Sequence, residues 1–159
     1  MEECSPSTCA ASDLVLSFVN DPPPSLAGSD LAAAAELRDS LVTLLREHSG
    51  CSLDPGAVPA AEAYLHRVAV RYPLVPVIGA AGSTLEPVHD GAFGLFARVL
   101  GAAAELGYRG AWPRLKVCKN DGCHRGFFDK TRNTAGLYCS PACSSQASMR
   151  AYRNRRKAS

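Results

Sequence analysis

The sequence predicts an α+β protein: a small mixed N-terminal domain with two helices and a β-hairpin, followed by a compact C-terminal module built around cysteines. Three observations lead there. Two stretches carry apolar residues at helical spacing. A third carries short β-branched runs around a glycine-rich turn, and four of the seven cysteines crowd into residues 118–143. The chain has 159 residues, 47% of them apolar, which suits one domain or a modest domain plus a small module and argues against wholesale disorder.

Residues 1–12 are small and polar and are expected to fray. "DLVLSFVN" (13–20) is a short apolar run, expected as a buried strand or a short helix. The prolines of "DPPPSLAG" (21–28) remove three backbone donors in a row and break regular structure. A helix should follow, with Ser29 or Asp30 as N-cap and Gly50 as its stop. Leu31, Leu37, Leu41, Leu44 and Leu45 recur on one face while Arg38, Arg46 and Glu47 fall off it, the pattern of a core helix more than of a partner-binding one. Residues 51–64 read as a loop. Leu65, Val68 and Val70, then Leu74, Val75, Val77 and Ile78, with "GAAGS" (79–83) as the turn, read as a β-hairpin or small antiparallel sheet. Pro73, Pro76 and Pro87 favour its edges. Asp90 is expected to cap a second helix that Gly107 ends, with Phe93, Phe96, Val99, Leu100, Ala103 and Leu106 on its apolar face. "GYRGAWPRLKV" (107–117) crosses into the cysteine module. Pro113 and a change of charge place a domain boundary there, giving an N-terminal domain of 13–112 and a module of 113–159.

That change of charge is steep. Residues 1–113 carry six arginines against thirteen carboxylates, a balance of −7; residues 114–159 carry eleven Lys or Arg against two Asp, a balance of +9. An acidic body with a basic tail points to a polyanion partner for the tail, although the two could also neutralise each other or face acidic lipid or protein. No apolar run reaches the roughly 18 residues that a membrane span needs. The start lacks a basic n-region and a long apolar segment, so a secretory signal is not read and the expected location is the cytoplasm. An odd cysteine count in a reducing compartment argues against a disulfide framework and for metal. No phosphate loop or nucleophile elbow is present. His66, or His89 with Asp90, come nearest to catalytic candidates, but no nucleophile, base and orienter are grouped, so an enzyme is not expected.

The cysteines read Cys118-x4-Cys123-x15-Cys139-x3-Cys143. Two close pairs can bring four thiolates to the corners of a tetrahedron, which is the closed, soft donor set of one structural Zn²⁺. The first pair encloses "KNDG", whose Asn-Asp-Gly tolerates the positive φ needed to turn a backbone around an ion. In "YCSPAC" Ser140 suits an N-cap and Pro141 the first helical position, which puts Cys143 in the first turn. A knuckle followed by ligands at a helix start is the treble-clef plan. Phe127, Phe128 and Tyr138 supply a mini-core, with an RNA-stacking role for the phenylalanines as the alternative. His124 is read as a surface histidine because four cysteines complete the site. On the helix after Cys143, Gln146, Arg150, Arg153 and Lys157 share one face, with Met149, Tyr152 and Arg156 on a neighbouring face expected to pack back on the finger. With Lys130 and Arg132 extending the basic surface, such a helix suits a major groove, Gln146 or Arg150 reaching base edges and the rest phosphate. A solvated C-terminal helix is the plainer alternative.

These residues resemble the CGNR zinc-finger family, through Cys118, Cys123, Phe127, Asp129, Thr131, Arg132, Asn133, Tyr138, Cys139, Ser140 and Cys143 followed by a basic helix. The resemblance implies an ABATE-type N-terminal domain, to which "DLVLSFVN" and "AAAELRDSLVTLLREH" are similar. It further implies a bacterial, stress-related transcription regulator, with RNA binding or protein docking as an alternative. The signature itself departs, reading Cys143-Ser144-Ser145-Gln146 here. The implied partners are duplex DNA, a small-molecule effector of the N-terminal domain and a second copy of the chain, with no membrane. A ligand-sensing domain with a minor enzymatic role is the remaining alternative.

Overall fold

The computed structural model describes residues 5–21 and 26–158. Its class is α+β, as expected, but among the described residues the body holds four helices rather than two. In order they are α1 (Pro6–Asn20), α2 (Ser29–His48), α3 (Ala57–Arg71), the ribbon β1 (Leu74–Gly79) and β2 (Gly82–Pro87), and α4 (Gly91–Tyr108). A 3-10 turn (Trp112–Arg114) leads to the hairpin β3 (Leu115–Val117) and β4 (Gly126–Phe128), and α5 (Pro141–Ala158) closes the chain.

Short apolar runs do not reveal their period, so the strand-or-helix choice at 13–20 falls to helix, while the fraying expected over 1–12 and the hairpin expected over Leu65–Val70 are overturned. "DLVLSFVN" is the second half of α1, which starts at Pro6 behind the Ser5 N-cap, inside the stretch expected to fray. Ala11, Val15, Phe18 and Val19 fall at helical spacing and are buried. Likewise Leu65, Val68 and Val70 belong to α3 and not to a hairpin. Ala61, Tyr64, Leu65, Val68 and Tyr72 make one helical stripe against the core, and Pro59 is harmless in a first turn whose N–H groups lack intrahelical partners. The triple proline, Pro22–Pro24, lies outside the described residues.

The other elements fall close to their expected bounds. α2 buries Ala34, Leu37, Leu41 and Leu45 and leaves Leu31 exposed. Its N-cap is Gly28, with no side-chain cap, while Gly50 takes φ +62° just past the end. Asp90 holds the N-cap position of α4 without a side-chain bond, and the helix runs one residue beyond Gly107. The β1–β2 ribbon pairs Leu74 with Pro87 through Gly79 with Gly82, and with two strands only, each has an outer edge that tolerates Pro76.

The core joins α1, α2, α3 and α4, with Phe18 edge-on to Phe96 at 6.0 Å and Tyr72 edge-on to Phe96 at 5.4 Å. Arg38 binds α1 to α2 by donating from Nε to the Val19 carbonyl at 2.6 Å. Leu115 and Val117 of β3 are buried in this same core, and Phe128 packs against it. The proposed boundary at 113 is therefore crossed by continuous packing.

Candidate metal centre

The hairpin that carries the first two cysteines is held at both edges by the ends of body helices. Asn20, the last residue of α1, donates Nδ2–H to the Gly126 carbonyl at 3.0 Å and accepts the Gly126 N–H on Oδ1 at 2.8 Å. A side-chain amide thus acts as one more strand beside β4. The approach is close: a Cβ at Gly126 would stand 3.1 Å from Val19 Cγ2 and 3.2 Å from Leu16 Cδ2, so both side chains would have to give way. On the β3 edge, Ser49 Oγ accepts the Val117 N–H at 2.8 Å and lies 3.1 Å from the Val117 carbonyl. His48 joins through Nδ1 to the Leu115 carbonyl at 2.9 Å. Burial lowers the pKa of His48, so the neutral ring with Nδ1–H as donor suits this bond.

Between β3 and β4 the chain folds into the knuckle. Cys118 N–H donates to Arg125 O, Cys123 N–H donates to Asn120 O, and Gly122 takes the expected positive φ, +85°. His124 also has a positive φ and is exposed, as expected of a surface histidine. The second pair sits at the start of α5. Ser140 Oγ accepts the Cys143 N–H at 3.3 Å, so the N-cap and the first-turn cysteine are where the motif puts them.

The four thiols come together. Cys123 and Cys139 sulfurs lie 3.6 Å apart, those of Cys139 and Cys143 3.7 Å, and all four are within 4.8 Å of one another. Tetrahedral Zn–S bonds of about 2.3 Å require sulfurs about 3.8 Å apart, and a disulfide only about 2 Å. The spacing fits an ion and not a bridge. The crowding acts unevenly on the thiols: burial and then the neighbouring thiols push Cys139 up to about 12, while hydrogen bonds from Ser140 and Asn120 bring Cys143 down to about 7. Burial also raises Cys118, against the N–H groups of Cys139 and Asn120 that point at its sulfur. Four thiolates this close need a cation among them, and these residues would hold one structural Zn²⁺.

The loop from β4 to the second pair is built on a buried charge pair that sequence reading did not identify. Lys116 and Asp129 are 5% and 1% exposed, with Nζ 2.8 Å from Oδ2. The lysine also donates to Thr134 O at 2.5 Å, and the carboxylate accepts from Thr131 N–H, Thr131 Oγ–H and Gly136 N–H. These bonds hold the Asp129 carboxyl at about 2 despite its burial. A Cβ at Gly136 would lie 2.6 Å from Asp129 Oδ1, so the motif's Asp, Thr and the later Gly form one cage. Arg114 braces the same loop through the Asp129 and Thr131 carbonyls. Lys130, Arg132 and Asn133 stand exposed on its outside. The D-x-T spacing was the available signal for this cage; its lysine partner lies 13 residues upstream and carried none.

On α5 the expected basic face divides, its first two residues docking on the knuckle and its last two standing exposed. Gln146 Oε1 accepts from the buried Asn120 Nδ2 at 2.9 Å, and Arg150 pairs with Asp121 at 2.6 Å. These side chains dock the helix onto the knuckle. Asn120 Oδ1 has no partner among the described residues. Met149 and Tyr152, expected to pack back, are 58% and 55% exposed, and Arg156 stacks on Tyr152 at 6.0 Å. The knuckle presents an amide and a carboxylate, which polar side chains satisfy and apolar ones cannot. Arg153 and Lys157 lie farther along and are exposed. In the body, His66 is exposed on α3 and His89 is exposed ahead of α4. No described helix is long and apolar enough to cross a membrane.

Comparison with curated proteins gives no significant match. The family model of the CGNR zinc finger matches residues 114–156, from the arginine that braces the loop to the last turns of α5. Together with the four-thiol site, that match makes the C-terminal module a zinc-finger domain similar to the CGNR zinc fingers.

Proposed function

We propose that the finger presents α5 to nucleic acid, duplex DNA first, and that the protein is a bacterial, cytoplasmic, non-enzymatic transcription regulator. The observation that carries this is the far half of α5. Beyond the Arg150–Asp121 anchor, Arg153, Arg155, Arg156 and Lys157 are all exposed on a helix without a carboxylate, in a segment of +9 beside a body of −7. The body repels a polyanion, which confines contact to the finger. Lys130 and Arg132, on the outside of the Asp129 cage, extend the phosphate-binding surface. Gln146 and Arg150 serve in this reading as anchors that aim the helix, not as base readers. The helical body is the ABATE-type domain that senses an effector or pairs two copies.

Salt dependence tests this. Replacing Arg153, Arg156 and Lys157 with Ala should flatten the slope of log K against log salt by roughly 2 to 3, at about 0.9 per lost phosphate contact, with zinc content unchanged. Equal slopes for wild type and the triple variant on duplex DNA would refute it. The exposed Met149 and Tyr152 favour a second reading, in which the same helix stacks on single-stranded RNA or docks on a protein. Tighter binding to single-stranded RNA than to duplex DNA, lost in Tyr152→Ala, would favour it.

A further inference from the structure

An open cavity of about 640 Å³ lies on the side of the body formed by α1, α4 and the β1–β2 ribbon. Its size is that of a small-molecule site. Its floor is made of small residues on the facing stripes of two helices, Ala10 and Ala11 on α1 and Gly101 and Ala102 on α4. Its roof is the inner face of the ribbon, where Leu74, Pro76 and Leu85 share one side by the strand register. The ribbon rests on α4 where Leu74 meets Gly101. A Cβ at Gly101 would stand 2.5 Å from Leu74 Cδ1, whereas Leu85 is 58% exposed over the opening. An isolated two-stranded ribbon gains little from its own ladder, so an inner apolar face left unfilled is a place for an apolar body.

The charges define the rest of the occupant. Arg109 lines the cavity but is paired with Glu105 at 3.0 Å. Arg98 lines it too, and among the described residues its exposed side chain has no hydrogen bond or ion pair. Among the described residues the groove therefore holds one uncompensated cation, in a body whose net charge is −7. We infer that this groove binds an amphipathic monocarboxylate, its chain lying between α1, α4 and the ribbon and its carboxylate on the Arg98 guanidinium. A guanidinium takes a carboxylate in a bidentate pair, which an alcohol of the same chain length cannot form. The inference is independent of nucleic-acid binding, but α1 connects the two regions physically. The face of α1 that floors the groove belongs to the helix whose last residue, Asn20, pairs with Gly126 of the finger.

Calorimetric titration of the zinc-loaded full chain with decanoate tests the site, with decan-1-ol as the uncharged comparison. Decanoate should bind saturably at one site per chain. Arg98→Gln should weaken it about tenfold, to the level of the alcohol, as expected for loss of one charge-assisted pair. Ala10→Trp, an exposed position that fills the groove, should abolish binding while the melting temperature stays near wild type. Equal affinity in wild type and Arg98→Gln, retained binding in Ala10→Trp, or uptake that never saturates would each overturn the proposal. So would sedimentation showing a dimer that Leu85→Glu dissociates, because the groove would then belong to a second copy. None of these readouts involves DNA, so failure of the nucleic-acid reading leaves the result interpretable.

Discussion

The β1–β2 ribbon pairs six positions and the β3–β4 hairpin only three, yet the shorter one lies in the core. Ile78 of the ribbon is 82% exposed, while Leu115 and Val117 of β3 are buried. Ladder length does not decide this. The long ribbon has two unpaired outer edges and rests on α4 near Gly101. The short hairpin has Asn20 along one edge, Ser49 and His48 along the other, and a thiol cluster at its tip. A two-stranded hairpin of three pairs is not stable alone, so its order is borrowed from helix ends on one side and from metal on the other. The consequence is that the finger is not an appendage of the body.

Removing zinc should break the comparison most strongly, since structural zinc contributes about 10–16 kcal/mol to such modules. Cys139→Ser is expected to eliminate stoichiometric zinc in elemental analysis. Because α1 and α2 end on the hairpin, it should also lower the melting temperature of the helical signal. Loss of zinc with unchanged helical melting would show that the two regions are independent after all.

Truncation after Arg114 asks the same question from the other side. It would strip Leu115, Val117 and Phe128 from the core, orphan the Asn20 side chain and leave Ser49 only its bond to the Leu45 carbonyl. The expected product binds a hydrophobic dye and melts without a sharp transition. Cooperative melting would restore the separate 13–112 domain that the charge break and Pro113 suggest.

Matched point changes sharpen the contrast between the hairpins. Leu115→Ala in β3 should cost about 2–5 kcal/mol in urea unfolding, as cavities in packed cores do. Ile78→Thr at the ribbon tip should stay within about 0.5 kcal/mol, as exposed positions do. Similar costs for the two would mean that the ribbon is covered in solution.

The smallest effect concerns pH. The pKa of His48 is lowered in the fold below its ordinary 6.5. The folded protein then binds that proton less readily than the unfolded chain, so its contribution is complete above pH 6.5 and is lost as pH falls through 6.5 and below. His48→Gln, which can still donate to Leu115 O, should show a flatter decline in the urea midpoint than wild type as pH falls through 6.5 and below. Parallel curves would remove His48 from the clamp.

What the sequence determined alone is what is local along it. The x4/x15/x3 spacing names the four ligands because coordination chemistry depends on residue type and short loops. Ser140-Pro141 marks the start of α5, and the leucine stripe marks α2, because capping and period are read within a few residues. Tertiary structure decided the rest. "DLVLSFVN" and Leu65–Val70 were too short to declare a period, and only packing around Phe96 made them helices. Gln146 and Arg150 looked like a reading face because nothing nearby in sequence claims them; Asn120 and Asp121, 26 and 29 residues away, do. Asn20 and Ser49 carry no pattern at all. They finish the hairpin's hydrogen bonding across 106 and 68 residues, and such pairings exist only once the chain has closed on itself.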